Sequence, residues 1–179
     1  TASLLRRGAG SRTYDQISEQ LDGLGTTLNG AANPQSTVIV ADFLTATADA
    51  SLSILGDVVA RPAFPESEVK KVLAESLDRA RSAKDNPGMA IGMYHDSFFF
   101  GPDHPYGQTL DEVTVSRISR EDILACHKRM YTGKNLIVVV TGSFDAKSMG
   151  PKVAALVGAL PAGEPYVWAN AGAPKFSES

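Results

Sequence analysis

The stretch "TTLNGAANPQSTVIVADFLT" narrows the fold more than any other, because it reads as two strands joined by the short turn "NPQS". Strands joined so closely run antiparallel, since a parallel pair needs a crossover of a dozen residues or more. The second strand, roughly Ser36 to Leu44, is apolar on both faces: Val38 and Val40 on one, Ile39, Ala41 and Phe43 on the other. It is expected to be an inner strand. One more strand is expected at "KNLIVVVTGSF", five apolar residues in a row with Gly142 as the stop, and it is expected to be buried.

The rest of the chain has helical spacing. In "SRTYDQISEQLDGLG", Ser11 or Thr13 can cap a helix with Tyr14, Ile17, Leu21 and Leu24 on one face, and Gly25 ends it. "ATADASLSILGDVVARPAF" places Leu52, Leu55, Val58 and Val59 inward and stops at Pro62. The clearest helix is "PESEVKKVLAESLDRARSAKDNP". Pro65 stands near its N-terminus, Val69, Val72, Leu73 and Leu77 form its stripe, and Asn86-Pro87 breaks it. "GMAIGMYHDSFFF" is expected to be helical, followed by the loop "GPDHPYG". "SREDILACHKRMY" has Ser119 as its cap and acids in its first turn. "DAKSMGPKVAALVGALP" is a last helix that Gly150-Pro151 interrupts, and Pro161 onward reads as an extended linker. Helices cluster instead of alternating with strands. This predicts an α+β fold, a mainly antiparallel sheet with helices packed on one face.

Composition agrees with a globular chain: 179 residues, 43% hydrophobic and 21% charged, enough for one domain and a short linker. A net charge of -3 argues against nucleic acid, whose binders present a basic face. No stretch reaches the roughly 20 apolar residues of a membrane span. The single cysteine, Cys126, excludes an internal disulfide and any zinc site built on two or more cysteines. The chain begins at Thr1, so its native start is expected to lie upstream. The sequence does not fix the compartment; a soluble protein of the bacterial periplasm or cytoplasm is expected.

Few residues point to chemistry. His95, His104 and His127 have no i, i+3 or i, i+4 partner to share a metal, and are expected to be surface or core histidines. There is no G-x-S-x-G, no P-loop and no G-x-G-x-x-G. Glu68 and Glu75 stand seven apart on one face of the clearest helix. They could supply a metal ligand and a supporting acid, but ion pairs serve them as well: Glu75 with Arg79, Glu68 with Lys71.

Taken in order, these segments resemble the pitrilysin/insulinase family of zinc metallopeptidases, which includes the mitochondrial processing peptidase subunits and the respiratory core proteins. "LLRRGAGSRTYDQISEQLDGLGTTLNGAANPQSTVIVADFLTATADASLSILGDVVARPAF" is similar to the family's stretch from the zinc helix through its hairpin to the next helix, and "PESEVKKVLAESLDRARSAKDNP" to the helix whose E-x6-E spacing holds the third ligand. "HPYG" and "ISREDILACHKRMYTGKNLIVVVTGSFD" are similar to the family's segments beyond that helix. The resemblance implies a pitrilysin-like domain over residues 1–160, without its N-terminal strands and part of its first helix, and a linker toward a further domain over 161–179.

The family's catalysis rests on H-x-x-E-H, two histidines holding zinc and a glutamate activating the bound water. The resemblance sets Ser3 at the second histidine and Ala2 at the general base, with the first histidine before Thr1. Glu75 matches the third zinc ligand and Glu68 the upstream glutamate. Serine is a poor zinc ligand, alanine accepts no proton, and one carboxylate is far from the three or four ligands zinc requires. The resemblance therefore implies no catalytic residue and no zinc in this chain. Zinc is expected only in a homologous partner half that carries H-x-x-E-H. This half would line the chamber that holds unfolded peptide substrates. The alternative is a structural or assembly subunit resembling the respiratory core proteins, with no peptide processing.

Overall fold

The computed structural model describes residues 1–102, 104–109 and 111–167. Its described residues divide into two compact units, Thr1–Val69 with Arg120–Tyr166, and Lys70–Ser119 with Val167.

The first unit begins with a single 3-10 turn at Ala2–Leu4, then the two-residue strands β1 (Gly8–Ala9) and β2 (Arg12–Thr13), paired antiparallel. Helix α1 (Tyr14–Gly23) starts on a full capping box. The Thr13 side chain accepts the Gln16 N–H at 3.3 Å, and the Gln16 side chain accepts the Thr13 N–H at 2.9 Å. The predicted hairpin is present as β3 (Thr27–Ala32) and β4 (Thr37–Asp42), in register from Thr27 opposite Asp42 to Ala32 opposite Thr37. Its turn is set by Asn33, whose Oδ1 accepts the N–H groups of Gln35 and Ser36, both at 2.8 Å. The fold is α+β, with helices dominant and two small antiparallel sheets among the described residues.

Helix α2 (Ala48–Ala60) buries Ile54, Val58 and Val59, and Pro62 follows it. Helix α6 (Arg120–Met130) carries Glu121 and Asp122 in its first turn and Lys128 and Arg129 in its last, both favourable to its dipole. Helix α7 (Ala146–Gly158) runs unbroken through Gly150-Pro151. The interruption expected there does not occur. The helix is held at its start by the Asp145 cap, which accepts from Lys147 and Ser148.

Two strand expectations change. Strand β4 has one described neighbour, β3, and Val38 and Val40 are half exposed, so β4 is an edge here and not an inner strand. The "LIVVV" run forms no ladder with any described strand. Ile137 is 88% exposed and Val139 77%. A strand needs a hydrogen-bonded neighbour as well as apolar composition, and strand preference largely measures that packing.

The core of the first unit closes on Phe64, fully buried and at φ 44°, a left-handed conformation rare for a bulky residue. Arg120 grips this corner: its Nε donates to the Phe64 carbonyl at 2.7 Å and its Nη2 to the Ala63 carbonyl at 3.3 Å. The Ala63 N–H donates to the Gly8 carbonyl at 2.8 Å, which ties the corner to the start of the chain.

In the second unit, helix α3 (Glu66–Lys84), whose first turn belongs to the first unit, leads to α4 (Pro87–Phe100) and the short α5 (Glu112–Ser116). Asn86 caps α4, accepting from Gly88 and Met89. The loop after α4 contains a 3-10 turn, Pro105–Gly107. A Cβ on Gly107 would lie 1.8 Å from the Gly101 carbonyl oxygen, so only glycine fits.

Candidate functional site

Ala2 and Ser3 lie in the opening 3-10 turn, Ala2 half-buried and Ser3 exposed. The two leucines after them are buried and anchor the turn. The turn packs on β3: the Ala2 carbonyl oxygen would lie 3.4 Å from a Cβ on Gly30, and Arg6 donates to the Leu28 carbonyl at 3.0 Å. Arg7 extends the other way. Its Nη1 donates to Glu68 Oε2 at 3.0 Å, and its guanidinium lies 4.7 Å from the centre of the Tyr14 ring. Both side chains of this ion pair are largely shielded. A cation thus meets Glu68, and it comes from Arg7, sixty-one positions away, where Lys71 on the same helix was the expected partner.

Glu75 lies exposed on the part of α3 that belongs to the second unit. No three His, Cys, Asp or Glu side chains converge as a metal site among the described residues. Of the positions that the resemblance matches to the zinc machinery, Ala2 offers a methyl group and Ser3 an exposed hydroxyl, Glu75 offers an exposed carboxylate, and the upstream Glu68 is engaged by Arg7.

The histidines have structural partners. His127 donates Nε2–H to the Val59 carbonyl at 2.9 Å, stacks on Tyr131 at 4.5 Å and meets Phe64 edge-on at 5.6 Å. Burial holds its pKa below the ordinary histidine value, and the hydrogen bond to Val59 opposes this in part. The Tyr131 hydroxyl is buried without a well-formed hydrogen bond among the described residues, and burial raises its pKa. His104 accepts the Tyr106 N–H at 3.1 Å and stacks with Phe100 and Tyr106. His95 is exposed beside Asp96 at 3.0 Å.

A second cluster escaped sequence reading altogether. Asp57 is 8% exposed and binds Arg61 through Oδ1 and Arg12 through Oδ2. Only the Arg61 pair, at i, i+4, has a sequence signature. Arg12 also borders an open cleft of about 480 Å³ with Gln20, Leu24 and Ile54. Its guanidinium is committed to Asp57 and, at 2.8 Å, to Gln20.

Comparison with known proteins meets this picture from three sides. Residues 117–178 match the family profile "Peptidase M16 inactive domain". An uncharacterized zinc protease of Rickettsia bellii is 26% identical over 161 residues, covering 88% of this chain and 39% of the relative. A probable mitochondrial-processing peptidase subunit beta of Arabidopsis thaliana is 21% identical over 78% of this chain and 27% of its own length. The chain thus spans well under half of the curated relatives it matches. Among solved structures, the peptidase M16 inactive domain from Pseudomonas fluorescens superposes with a TM-score of 0.87 at 21% identity, over 93% of this chain and 41% of that one. Pitrilysin does so with 0.75 at 15% identity, over 91% and 18%. No helix among the described residues is long and apolar enough to cross a membrane. Over residues 117–178 this chain is thus similar in sequence to the M16 inactive domain, and over most of its length it shares the fold of that domain and of pitrilysin.

Proposed function

We propose that this domain is the non-catalytic half of a pitrilysin-type metallopeptidase, lining part of the chamber for unfolded peptides and supporting a partner half that carries H-x-x-E-H. The observation that carries the reading is at the start of the chain. Ala2 and Ser3 stand where the family's general base and second ligand are expected, and Arg7 occupies the Glu68 carboxylate nearby. A methyl group cannot take a proton from water, and a guanidinium at a carboxylate competes with a cation for the same oxygens. Zinc then belongs to the partner alone. The chemistry is the same whether that partner is a separate subunit or another part of a longer polypeptide.

The test is reconstitution with an H-x-x-E-H homologue from the same genome. The expected result is co-purification, negligible hydrolysis of an unstructured peptide by this chain alone, and a gain in hydrolysis when the two are combined. Elemental analysis is expected to find far less than one zinc per copy of this chain. One tightly held zinc per chain, or hydrolysis by the chain alone, would overturn the reading. Stable assembly into a membrane complex with no effect on peptide hydrolysis would replace it with the structural-subunit role.

A further inference from the structure

We propose that the turn at residues 132–135 and the segment 161–166 form a clasp that holds the Pro/Gly-rich end of this domain in one path. After α7 the chain doubles back along this turn. The Gly133 N–H donates to the Pro161 carbonyl at 2.9 Å, and the Lys134 N–H to the Ala162 carbonyl at 3.0 Å. Asn135 continues the pairing with its side chain. Its Nδ2 donates to the Glu164 carbonyl at 3.2 Å, and its Oδ1 accepts the Tyr166 N–H at 2.6 Å. A side-chain amide here takes the place of a neighbouring strand, satisfying one carbonyl and one N–H of the segment at once.

The amide is itself held in place. Nδ2 also donates to Thr132 Oγ1 at 3.0 Å, and Thr132 is 3% exposed. Gly163 lies against this support. Its φ is +65°, and a Cβ there would fall 2.3–2.5 Å from three atoms of the Thr132 side chain. Both the backbone conformation and the space therefore demand glycine. Lys134 and Glu164 add an exposed ion pair at 3.4 Å, a minor contribution.

Composition alone would make residues 161–166 a flexible tether, whose reach grows with the square root of its length. The clasp converts it to a fixed exit. Tyr166 is then held at a defined point, and the entropy cost of ordering these six residues is met within the first unit. Asn135 is the positioning residue of this device.

Amide hydrogen exchange by NMR on the full chain tests it, comparing the unsubstituted protein with Asn135→Ala, Asn135→Asp and Gly163→Ala. In the unsubstituted chain the Gly133, Lys134 and Tyr166 amides are expected to exchange at least about tenfold more slowly than in a free peptide. Asn135→Ala is expected to raise Tyr166 exchange by about tenfold while α1 and α6 amides keep their rates. Asn135→Asp retains the acceptor and is expected to keep most of the Tyr166 protection, a result a merely general loss of stability would not produce. Gly163→Ala is expected to free all three amides. Free-peptide exchange at Tyr166 in the unsubstituted chain, or no change on Asn135→Ala, would overturn the proposal.

Discussion

The two units use apolar residues differently. The first, residues 1–69 and 120–166, closes around Phe64 with Leu4, Leu5, Ile17 and Val58, and gathers its shielded charges into pairs. In the second, from Lys70 to Ser119, the buried residues among those described are small or few, chiefly Val72, Ala80, Ala83 and Val115. Of its described large side chains, Ile91 is 68% exposed and Phe98 94%, while Leu73, Leu77 and Phe100 are only partly covered. Its rings find partners mainly among themselves, as Phe100, His104 and Tyr106 do. The contrast separates what holds the domain together from what it offers to its surroundings. A substitution in the first unit should act on folding, and one on α4 should not.

Phe64→Ala is the most direct challenge to that contrast. It removes the ring from a fully buried site and leaves an alanine in the same left-handed backbone conformation, so a loss of about 3–5 kcal/mol is expected by chemical denaturation. A loss below about 1 kcal/mol, the level of an ordinary substitution, would show that the core lies elsewhere. Asp57→Asn comes next. It keeps the shape but removes the charge between Arg12 and Arg61, at a cost of about 2 kcal/mol, the range for a hydrogen bond to a charged group. That cost should fall little with added salt, because Asp57 is shielded.

The third effect is smaller and depends on pH. The folded protein holds His127 below its unfolded pKa, so the unfolded chain binds the proton more readily. The contribution of neutral His127 is therefore complete above about pH 6.5 and is lost as the pH falls through the folded pKa. His127→Gln should flatten the decline in Tm between about pH 7 and pH 5; an unchanged slope would assign that decline to other groups. The smallest effect is expected at Phe98→Ser, within about 0.5 kcal/mol of the parent, as for an exposed site with no special role. A loss of about 2 kcal/mol there would erase the distinction between the units.

Much of this architecture was legible because its causes are local. Thr13 and Gln16 are three residues apart and cap α1, and Asn33 shapes the hairpin turn from within that turn. Apolar spacing placed Val58 and Val59 of α2 and Val69 and Val72 of α3 inward, and they are buried; on α2 the buried Ile54 takes the place expected of Leu52 and Leu55, which are only partly covered. The features that escaped depend on residues far apart in the chain. Arg7 meets Glu68, Arg12 meets Asp57 and Arg120 holds the Phe64 corner, and no local spacing encodes any of them. The "LIVVV" run misled for the same reason, since composition specifies a preference for pairing and not the neighbour. At the candidate site, the meaning of Ala2 and Ser3 came only through resemblance; neither residue has a chemistry that would draw notice.

That run, without a ladder partner among the described residues, has a practical consequence. Residues 136–141 present their backbone beside the exposed Ile137 and Val139, with no charged residue among the six. Such a segment is a ready template for another chain. At high concentration the isolated protein should therefore be adhesive, with self-association tracking concentration and relieved by Val139→Lys.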